Sequence, residues 1–489
     1  MKKSKKRINR EQFKNAIIAV FIIAILIVNT YIYSVLWFSG KLELPFSWRG
    51  NWVVLGVYVV LLYVATRTYG GYNIGGLKRF DLIYSQTIAL LFVNMITYFQ
   101  NGLMMRRLPE LPLFLYMSFA QFVVIMIWAF AVTYLHRKLY PPAKMLMIYG
   151  EYNVDPLIRK MNSGEDNYYI NSSVCIDEGL DYIKEQILLY QGVVMCDVPS
   201  GTRNKLLKYC YEHAIRAYIT PKISDVFIRA AKNVDVFDTP LLLCKNTGLS
   251  IGDRLLKRLF DILFSLCAII LFSPLMLLIA LAIKIDDGGP VLFKQKRYTM
   301  NERIFSIYKF RSMIVNAEQA GQVIPTANGD KRITRVGKVI RNCRLDELPQ
   351  LFNILKGDMS IVGPRPERVE HVEKYTREIP EFKYRLKVKG GLTGYAQIFG
   401  KYNTTAYDKL RLDLMYIENY SFVLDLKLIL ITLKILFKKD STEGIDDGAF
   451  SLEEIYPEAI RSEEEDEGTA SGAATEPSAP PASEADHTS

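Results

Sequence analysis

The chain has 489 residues, half of them hydrophobic and gathered into long runs, which implies two or three domains with membrane segments. Its formal charge of +10 is uneven: from Asp440 to Ser489, 15 acidic residues face Arg461 alone, a net of −14, so the remainder carries +24. That basic body suits anionic lipid and phosphate-bearing ligands, and no recognition helix, zinc spacing or aromatic RNA-binding box supports nucleic acid as a partner.

Residues 1–12 are strongly basic, and an apolar run follows from Phe13 to Phe38 with no small-residue cleavage site at its end. Three more runs cover Trp52–Val64 (extending towards Tyr69), Asp81–Phe99 and Leu111–Leu135. A span needs about 20 residues, so the second is marginal. Lysines and arginines before the first run, between the second and third (Arg67, Lys78, Arg79) and after the fourth (Arg137, Lys138, Lys144) place those segments in the cytoplasm. Arg106 and Arg107 dissent. Residues 1–140 thus read as four transmembrane helices.

From residue 141 to about 250 short apolar strands (Met145–Tyr149, Val193–Cys196, Ala217–Thr220) alternate with helical stretches such as Arg203–His213. This is the pattern of a Rossmann-like α/β domain. After the first strand comes Gly150-Glu-Tyr-Asn-Val, which lacks the second and third glycines of a dinucleotide fingerprint, so a cofactor-free scaffold is expected.

Leu259–Ile285 is a further apolar run, interrupted by Ser273-Pro274. Positive charge flanks it on both sides (Arg254, Lys257, Arg258; Lys284, Lys294, Lys296, Arg297), which argues that both ends stay cytoplasmic. Proline removes a helical hydrogen bond and a neighbouring serine can satisfy the freed group. The reading is a re-entrant helical hairpin; a kinked full span is the alternative.

Residues 251–439 then form a basic, mixed α/β region. Its centre is Arg341-Asn-Cys-Arg-Leu-Asp-Glu-Leu-Pro-Gln350, followed by Leu351, Phe352 and Leu355 at helical spacing and Gly357 at a C-cap. Pro349 belongs in a first helical turn, so Asp346 falls at the helix start, where a carboxylate or a phosphate is favoured. Alone, the pair Asp346-Glu347 with Arg341 and Arg344 reads equally as a metal-assisted phosphate site or as an ordinary cap with solvated arginines. Val423–Lys439 is a basic apolar helix that could lie among lipid headgroups or pack on the domain. Residues 440–489, rich in Glu, Ala, Ser and Pro, read as a disordered acidic tail. Six cysteines without a CxxC spacing suit a reducing, cytosol-facing location, and four scattered histidines offer little to a Ser-His or zinc mechanism.

Five clusters occur in order: the Ser-Pro-interrupted helix, Gly289-Pro-Val-Leu-Phe-Lys-Gln-Lys-Arg297, Lys309-Phe-Arg-Ser-Met313, LDELPQLFNILKGDMSIVGPRP at 345–366, and GLTGYAQ at 391–397. Together they resemble the bacterial sugar transferase family, the polyprenyl-phosphate hexose-1-phosphate transferases, in its large form with four membrane spans and a Rossmann-like domain. The resemblance implies that Asp346 is the nucleophile that takes a phosphosugar from a nucleotide diphosphosugar, with a UDP-sugar as the usual donor. UMP is released and the phosphosugar passes to a polyprenyl phosphate, usually undecaprenyl phosphate. It implies that Glu347, with Asp346, holds Mg²⁺, and that Arg341, Arg365, Lys309 and Arg311 are candidate phosphate contacts. It also implies the bacterial inner membrane, a catalytic domain on its cytoplasmic face, and a start to exopolysaccharide, capsule or O-antigen assembly. Physics agrees: a hard cation suits carboxylates with phosphates, and arginine forks neutralise charge in phosphoryl transfer. The chain departs from the family at Gly390-Gly391, where Pro-Gly is common, and at Arg297-Tyr-Thr-Met. The glycines near 390 read equally as a close contact to the nucleotide or as a tight turn. The alternatives are a membrane-anchored nucleotide-sugar dehydratase or epimerase, and an inactive assembly scaffold. A homo-oligomer, the sugar and the role of the Rossmann-like domain are left open.

Overall fold

The computed structural model describes residues 2–38, 48–151, 153–162, 168–236, 239–244, 248–315, 330, 332–400 and 404–436. The acidic tail, Lys438 and Lys439 lie outside the described residues.

Four long helices come first: α1 (Lys2–Trp37), α2 (Trp48–Thr68), α3 (Arg79–Met105) and α4 (Leu111–Leu139). The marginal second run extends in both directions to 21 residues. At about 1.5 Å per residue that covers the hydrocarbon thickness. The bundle carries apolar side chains outwards, with Val20, Ile27, Leu91, Phe119 and Ile127 all exposed. Inside it buries polar ones. The Tyr58 hydroxyl donates to Asn94 Oδ1 at 3.0 Å, Asn94 Nδ2 to Gln121 Oε1 at 2.9 Å, and Gln121 Nε2 to the Asn29 carbonyl at 2.9 Å. Water is a better solvent for such groups than lipid, so an apolar exterior around satisfied polar contacts is the arrangement of a membrane-embedded bundle.

The α/β domain holds β1 (Ala143–Tyr149), α5 (Asp155–Asn162), β2 (Tyr168–Cys175), α6 (Leu180–Leu189), β3 (Gly192–Cys196), α7 (Ser200–Glu212), β4 (Arg216–Ile219) and α8 (Ile223–Ala230). Its parallel sheet has the order β2-β1-β3-β4, with Leu146, Ile148, Val193 and Met195 in the core beneath it. A Cβ on Gly150 would stand 2.3 Å from the Asp197 carbonyl, so this glycine serves close backbone contact between the ends of β1 and β3. An antiparallel hairpin, β5 (Lys232–Val236) and β6 (Thr239–Leu243), follows. Helix α8 docks on the next domain: Val226 is buried in that domain's core, and Arg411 donates to the Pro221 carbonyl at 2.7 Å.

Helix α9 (Ile251–Asp287) is one helical run of 37 residues with Pro274 inside it. Pro274 cannot donate to the Ile270 carbonyl, and the Ser273 hydroxyl does so instead at 2.9 Å. Near the N-terminal end, Arg258 donates to the Ile354 and Leu355 carbonyls, and Asp261 accepts from Ser360 Oγ and the Ile361 amide. Near the other end, Asp287 pairs with Arg311, while Met276, Ile279 and Ile283 pack with Phe310 and Ile340. Between these anchors Ile270, Leu271, Leu277 and Leu278 are exposed.

The remaining elements are β7 (Leu292–Tyr298), β8 (Ile304–Phe310), α10 (Arg335–Asn342), α11 (Gln350–Lys356), β9 (Ser360–Val362), α12 (Val369–Glu378), β10 (Gly391–Thr393), α13 (Tyr395–Phe399), α14 (Ala406–Glu418) and α15 (Phe422–Leu436). Strands β7 and β8 pair antiparallel, and β9 and β10 pair parallel. Helix α15 packs on both neighbours: Leu428 is buried in the core that Leu351, Ile354 and Leu410 share, while Leu430 packs against the N-terminal bundle. Lys434 donates to the Tyr69 carbonyl at 3.2 Å and to Ser85 Oγ at 2.6 Å. Of the two sequence readings of this helix, the structure has the packed one.

Candidate active site

The site starts with how α11 is held. Asn353 is fully buried; its Oδ1 accepts from the Tyr308 amide at 2.9 Å and its Nδ2 donates to the Ser306 carbonyl at 2.8 Å. One side-chain amide therefore replaces a neighbouring strand for β8 and pins α11 to it. Gly357, with φ of 96°, ends α11 in the left-handed conformation, and its amide reaches back to the Asn353 and Ile354 carbonyls. Upstream, Thr334 caps α10 through the Gly337 amide at 2.9 Å. Arg344, with φ of 53°, then turns the chain into a 3-10 turn at Leu345–Glu347. Asp346 thus lies in this turn, just before α11, rather than inside the helix.

With α11 pinned, Lys309 of β8 faces Glu347. Lys309 Nζ lies 2.7 Å from Glu347 Oε1, and Arg365 Nη2 lies 3.0 Å from the same oxygen. The Glu347 side chain is 11% exposed, Lys309 20% and Arg365 40%. Burial pushes the Glu347 carboxyl up, but Lys309 and Arg365 outweigh it and hold the group well below the usual carboxylate range. Asp346 behaves oppositely. Burial raises it and the Glu347 charge adds to that, against the pull of Lys309, Arg341 and Arg365, and the net shift is upward. Neighbouring carboxylates are thereby driven apart in proton affinity.

The loop carrying Arg365 is set by glycines. Strands β9 and β10 run so close that a Cβ on Gly391 would lie 2.1 Å from the Gly363 nitrogen, and one on Gly394 2.1 Å from the Gly363 carbonyl oxygen. Gly363 donates to the Thr393 carbonyl and Gly391 to the Pro364 carbonyl, at 2.8 and 2.9 Å. The glycine-rich element therefore packs on Gly363-Pro-Arg-Pro, an account the two sequence readings did not include.

Of the residues singled out by sequence, Asp346, Glu347, Lys309 and Arg365 come together, and Arg341 is near enough to act on Asp346. Arg311, 7% exposed, forms its ion pair with Asp287 at the end of α9. Residues to which the sequence reading gave no site role lie around the cluster. Arg297 donates to the Pro366 carbonyl at 3.0 Å, and burial together with the nearby Arg365 pushes its guanidinium down to about 10. Glu367 pairs with Lys409 at 3.0 Å; burial raises its carboxyl, but Lys409 and Arg385 outweigh that and hold it at about 2. No spacing signal marks Glu367, Lys409 or Arg385, because the partners come from distant segments.

Two adjacent carboxylates in one turn fit a divalent cation of the Mg²⁺ kind, which takes one or two carboxylates and completes its shell with substrate phosphates and water. The ion pairs of Glu347 with Lys309 and Arg365 both fall on Oε1. Among the described residues no group of three or more His, Cys, Asp or Glu could hold a metal by itself, so oxygens from a ligand would be needed.

Comparison with known proteins bears on this site. The family model described as "Bacterial sugar transferase" matches residues 252–439. An Aeromonas hydrophila protein named UDP-N-acetylgalactosamine-undecaprenyl-phosphate N-acetylgalactosaminephosphotransferase is 36% identical over 332 residues, which cover 66% of this chain and 74% of that one. Two proteins named UDP-glucose:undecaprenyl-phosphate glucose-1-phosphate transferase are also similar. The Klebsiella pneumoniae one is 44% identical over 43% of this chain and 47% of its own length, and the Escherichia coli (strain K12) one 38% identical over 50% and 53%. The chain thus spans about half the length of these two relatives and three quarters of the first.

Proposed function

This chain belongs to the bacterial sugar transferase family, and on that premise we propose that it transfers a sugar 1-phosphate from a UDP-sugar to undecaprenyl phosphate. The named relatives act on N-acetylgalactosamine and on glucose donors, so the reaction class is common to them and the sugar is not. UMP is the product released, and the lipid-linked phosphosugar starts exopolysaccharide, capsule or O-antigen assembly.

The mechanism we infer is a double displacement at phosphorus. The Asp346 carboxylate attacks the β-phosphorus of the donor; an O–P bond forms, the bond to UMP breaks, and the phosphosugar is left on the carboxylate. A phosphate oxygen of the polyprenyl phosphate then attacks that same phosphorus and Asp346 departs as a carboxylate. Lys309, Arg341 and Arg365 neutralise the charge on the phosphate oxygens and hold them in line. Glu347, fixed as an anion, and Asp346 would hold Mg²⁺, which supplies further charge neutralisation when bound. The observation that carries this reading is geometric: Lys309 of β8 and Arg365 of the Gly363-Pro-Arg-Pro loop converge on Glu347 at 2.7 and 3.0 Å, beside Asp346 in the same turn.

We also place the catalytic domain on the cytoplasmic face of the inner membrane, with four spans before it and α9 entering one leaflet and returning. Both ends of α9 bond to the same domain, its middle is apolar and exposed, and basic residues flank it on both sides. A cysteine scan settles that topology. Sites at both ends of α9 should react with a membrane-impermeant maleimide only from the cytoplasmic side, and labelling of one end from outside would refute it.

The chemistry has a direct assay. Purified protein incubated with UDP-sugar and Mg²⁺ but no lipid should carry a phosphosugar adduct on Asp346 by mass spectrometry. Asp346→Asn should abolish both the adduct and UMP release. An active Asp346→Asn enzyme refutes the mechanism.

A further inference from the structure

Arg385 lies outside every cluster that drew attention in the sequence, in the 3-10 stretch Pro380–Lys387, and is only 2% exposed. Its guanidinium reaches three partners. Nη2 donates to the Arg365 carbonyl at 3.0 Å, Nε and Nη2 reach Asp413 Oδ2 at 2.9 and 2.7 Å, and Nη1 stands 3.8 Å from Glu367 Oε1. Asp413 and Lys409 sit one turn apart on the same face of α14, and Lys409 pairs with Glu367. The loop at 365–367 is therefore gripped from one side at two points, the carbonyl of Arg365 and the carboxylate of Glu367. From the other side, the Arg365 side chain holds Glu347.

A fully buried ion pair gains little net stability, because desolvating both charges consumes most of the attraction, and apolar residues of similar volume often serve as well. Here the arrangement is not even saturated: Asp413 Oδ1 is buried without a hydrogen-bond partner. What the pair does accomplish is geometric. A planar fork whose charge is fixed by one carboxylate presents a second N–H to one particular backbone carbonyl, and that carbonyl belongs to the residue contacting the site.

We propose that Arg385, fixed by Asp413, is a positioning residue that sets the placement of Arg365 for phosphosugar transfer. The inference rests on the transferase reading above. Arg385 itself touches none of Asp346, Glu347 or Lys309 in the contacts described; it acts through the Arg365 peptide. Lysine in its place keeps the charge but, as a point donor, cannot hold Asp413 and the Arg365 carbonyl in the same fixed fork.

The test is a double-mutant cycle on kcat/KM for UMP release, using the full chain in nanodiscs with UDP-sugar and undecaprenyl phosphate. Arg385→Lys should lower kcat/KM at least about tenfold in the wild-type background, since small misplacements of charged groups are costly. In the Arg365→Ala background the same substitution should cost less than about threefold, because the group it positions is gone. Asp413→Asn, nearly isosteric, should repeat the pattern, and the thermal midpoint is measured for every variant. Equal losses in both backgrounds, no loss from Arg385→Lys, or losses in both variants that track unfolding would each overturn the proposal. Absence of UMP release from the wild-type chain would instead refute the transferase reading.

Discussion

Lys309→Met tests how the buried charge cluster is held. In the structure Lys309 and Arg365 share one oxygen of Glu347, and Lys309 is the closer and the less exposed of the two. Removing one partner of a buried pair costs about 3–5 kcal/mol when the other charge is left alone. Arg365 stays on Glu347, so about 2–3 kcal/mol is expected, which for a domain of this size corresponds to a fall of about 5–10 °C in thermal midpoint. The pH dependence identifies the cause. The folded state depresses the Glu347 carboxyl, so its contribution is present above the unfolded value and is lost as pH falls through the folded one. Without Lys309 the depression shrinks, and the variant's Glu347 takes up a proton at a higher pH than the wild type's. Lys309 also holds down the raised Asp346 carboxyl, so the gap between the two proteins should be widest near neutral pH and narrow as the pH falls and both carboxylates of the variant take up protons. Thermal unfolding in nanodiscs, followed by intrinsic fluorescence from neutral to acid pH, reads it directly. A gap under about 1 kcal/mol, as for a surface pair, or one that does not respond to pH, would refute the reasoning.

Three further outcomes are expected. In the proposed mechanism Asp346 attacks as the anion; with its proton affinity raised, activity should fall on the acid side at a pH above that of an ordinary aspartate, and Arg341→Gln should move that limb higher still; a limb unmoved by the substitution counts against the assignment. Gly391→Ala drives a Cβ into the Gly363 nitrogen and the Thr393 carbonyl, so it should cost at least about 3 kcal/mol, whereas Gly201→Ala in α7 meets nothing within 4 Å and should be neutral or stabilising by up to about 1 kcal/mol; equal midpoints for the two variants would contradict the packing described. Lys434→Met removes the side-chain bonds to Tyr69 and Ser85, so amide exchange in the last turn of α15 should rise while α14 is unchanged; no rise would mean that packing and the Tyr84 hydroxyl on the Lys434 carbonyl suffice to hold it.

What the sequence made legible follows from the range over which each signal acts. Long apolar runs announce membrane helices, and all four N-terminal ones have their helix in the structure, with α2 gaining residues at its ends that run from Trp48 to Thr68. Strand β2 was missed because Asn171, Ser172 and Ser173 in its middle are poor strand signals, and its pairing with β1 comes from elsewhere in the chain. The pair Asp346-Glu347, Lys309 and Arg365 stood in recognisable motifs. Arg385 did not: it sits among Lys383, Lys387 and Lys389 and looks like one more solvated charge. Only folding places it beside Asp413, 28 positions away, and Arg365, 20 positions away. The approach of the glycines near 390 to the Gly363 backbone was likewise out of reach of the sequence, since Gly363 follows a different strand.

Helix α15 has a consequence for how the protein sits in a bilayer. One residue separates Leu428, in one core, from Leu430, packed against the other, and a helix does not stretch over such a distance. The height of Asp346 and Arg365 above the acyl chains is thus set by the bundle itself through α15. A bilayer thicker or thinner than the bundle's apolar belt must deform or tilt the whole assembly, carrying Arg365 and Asp346 with it. Under the proposed transfer to a lipid phosphate, turnover then becomes a function of acyl-chain length, with an optimum where the lipid phosphates lie level with the site.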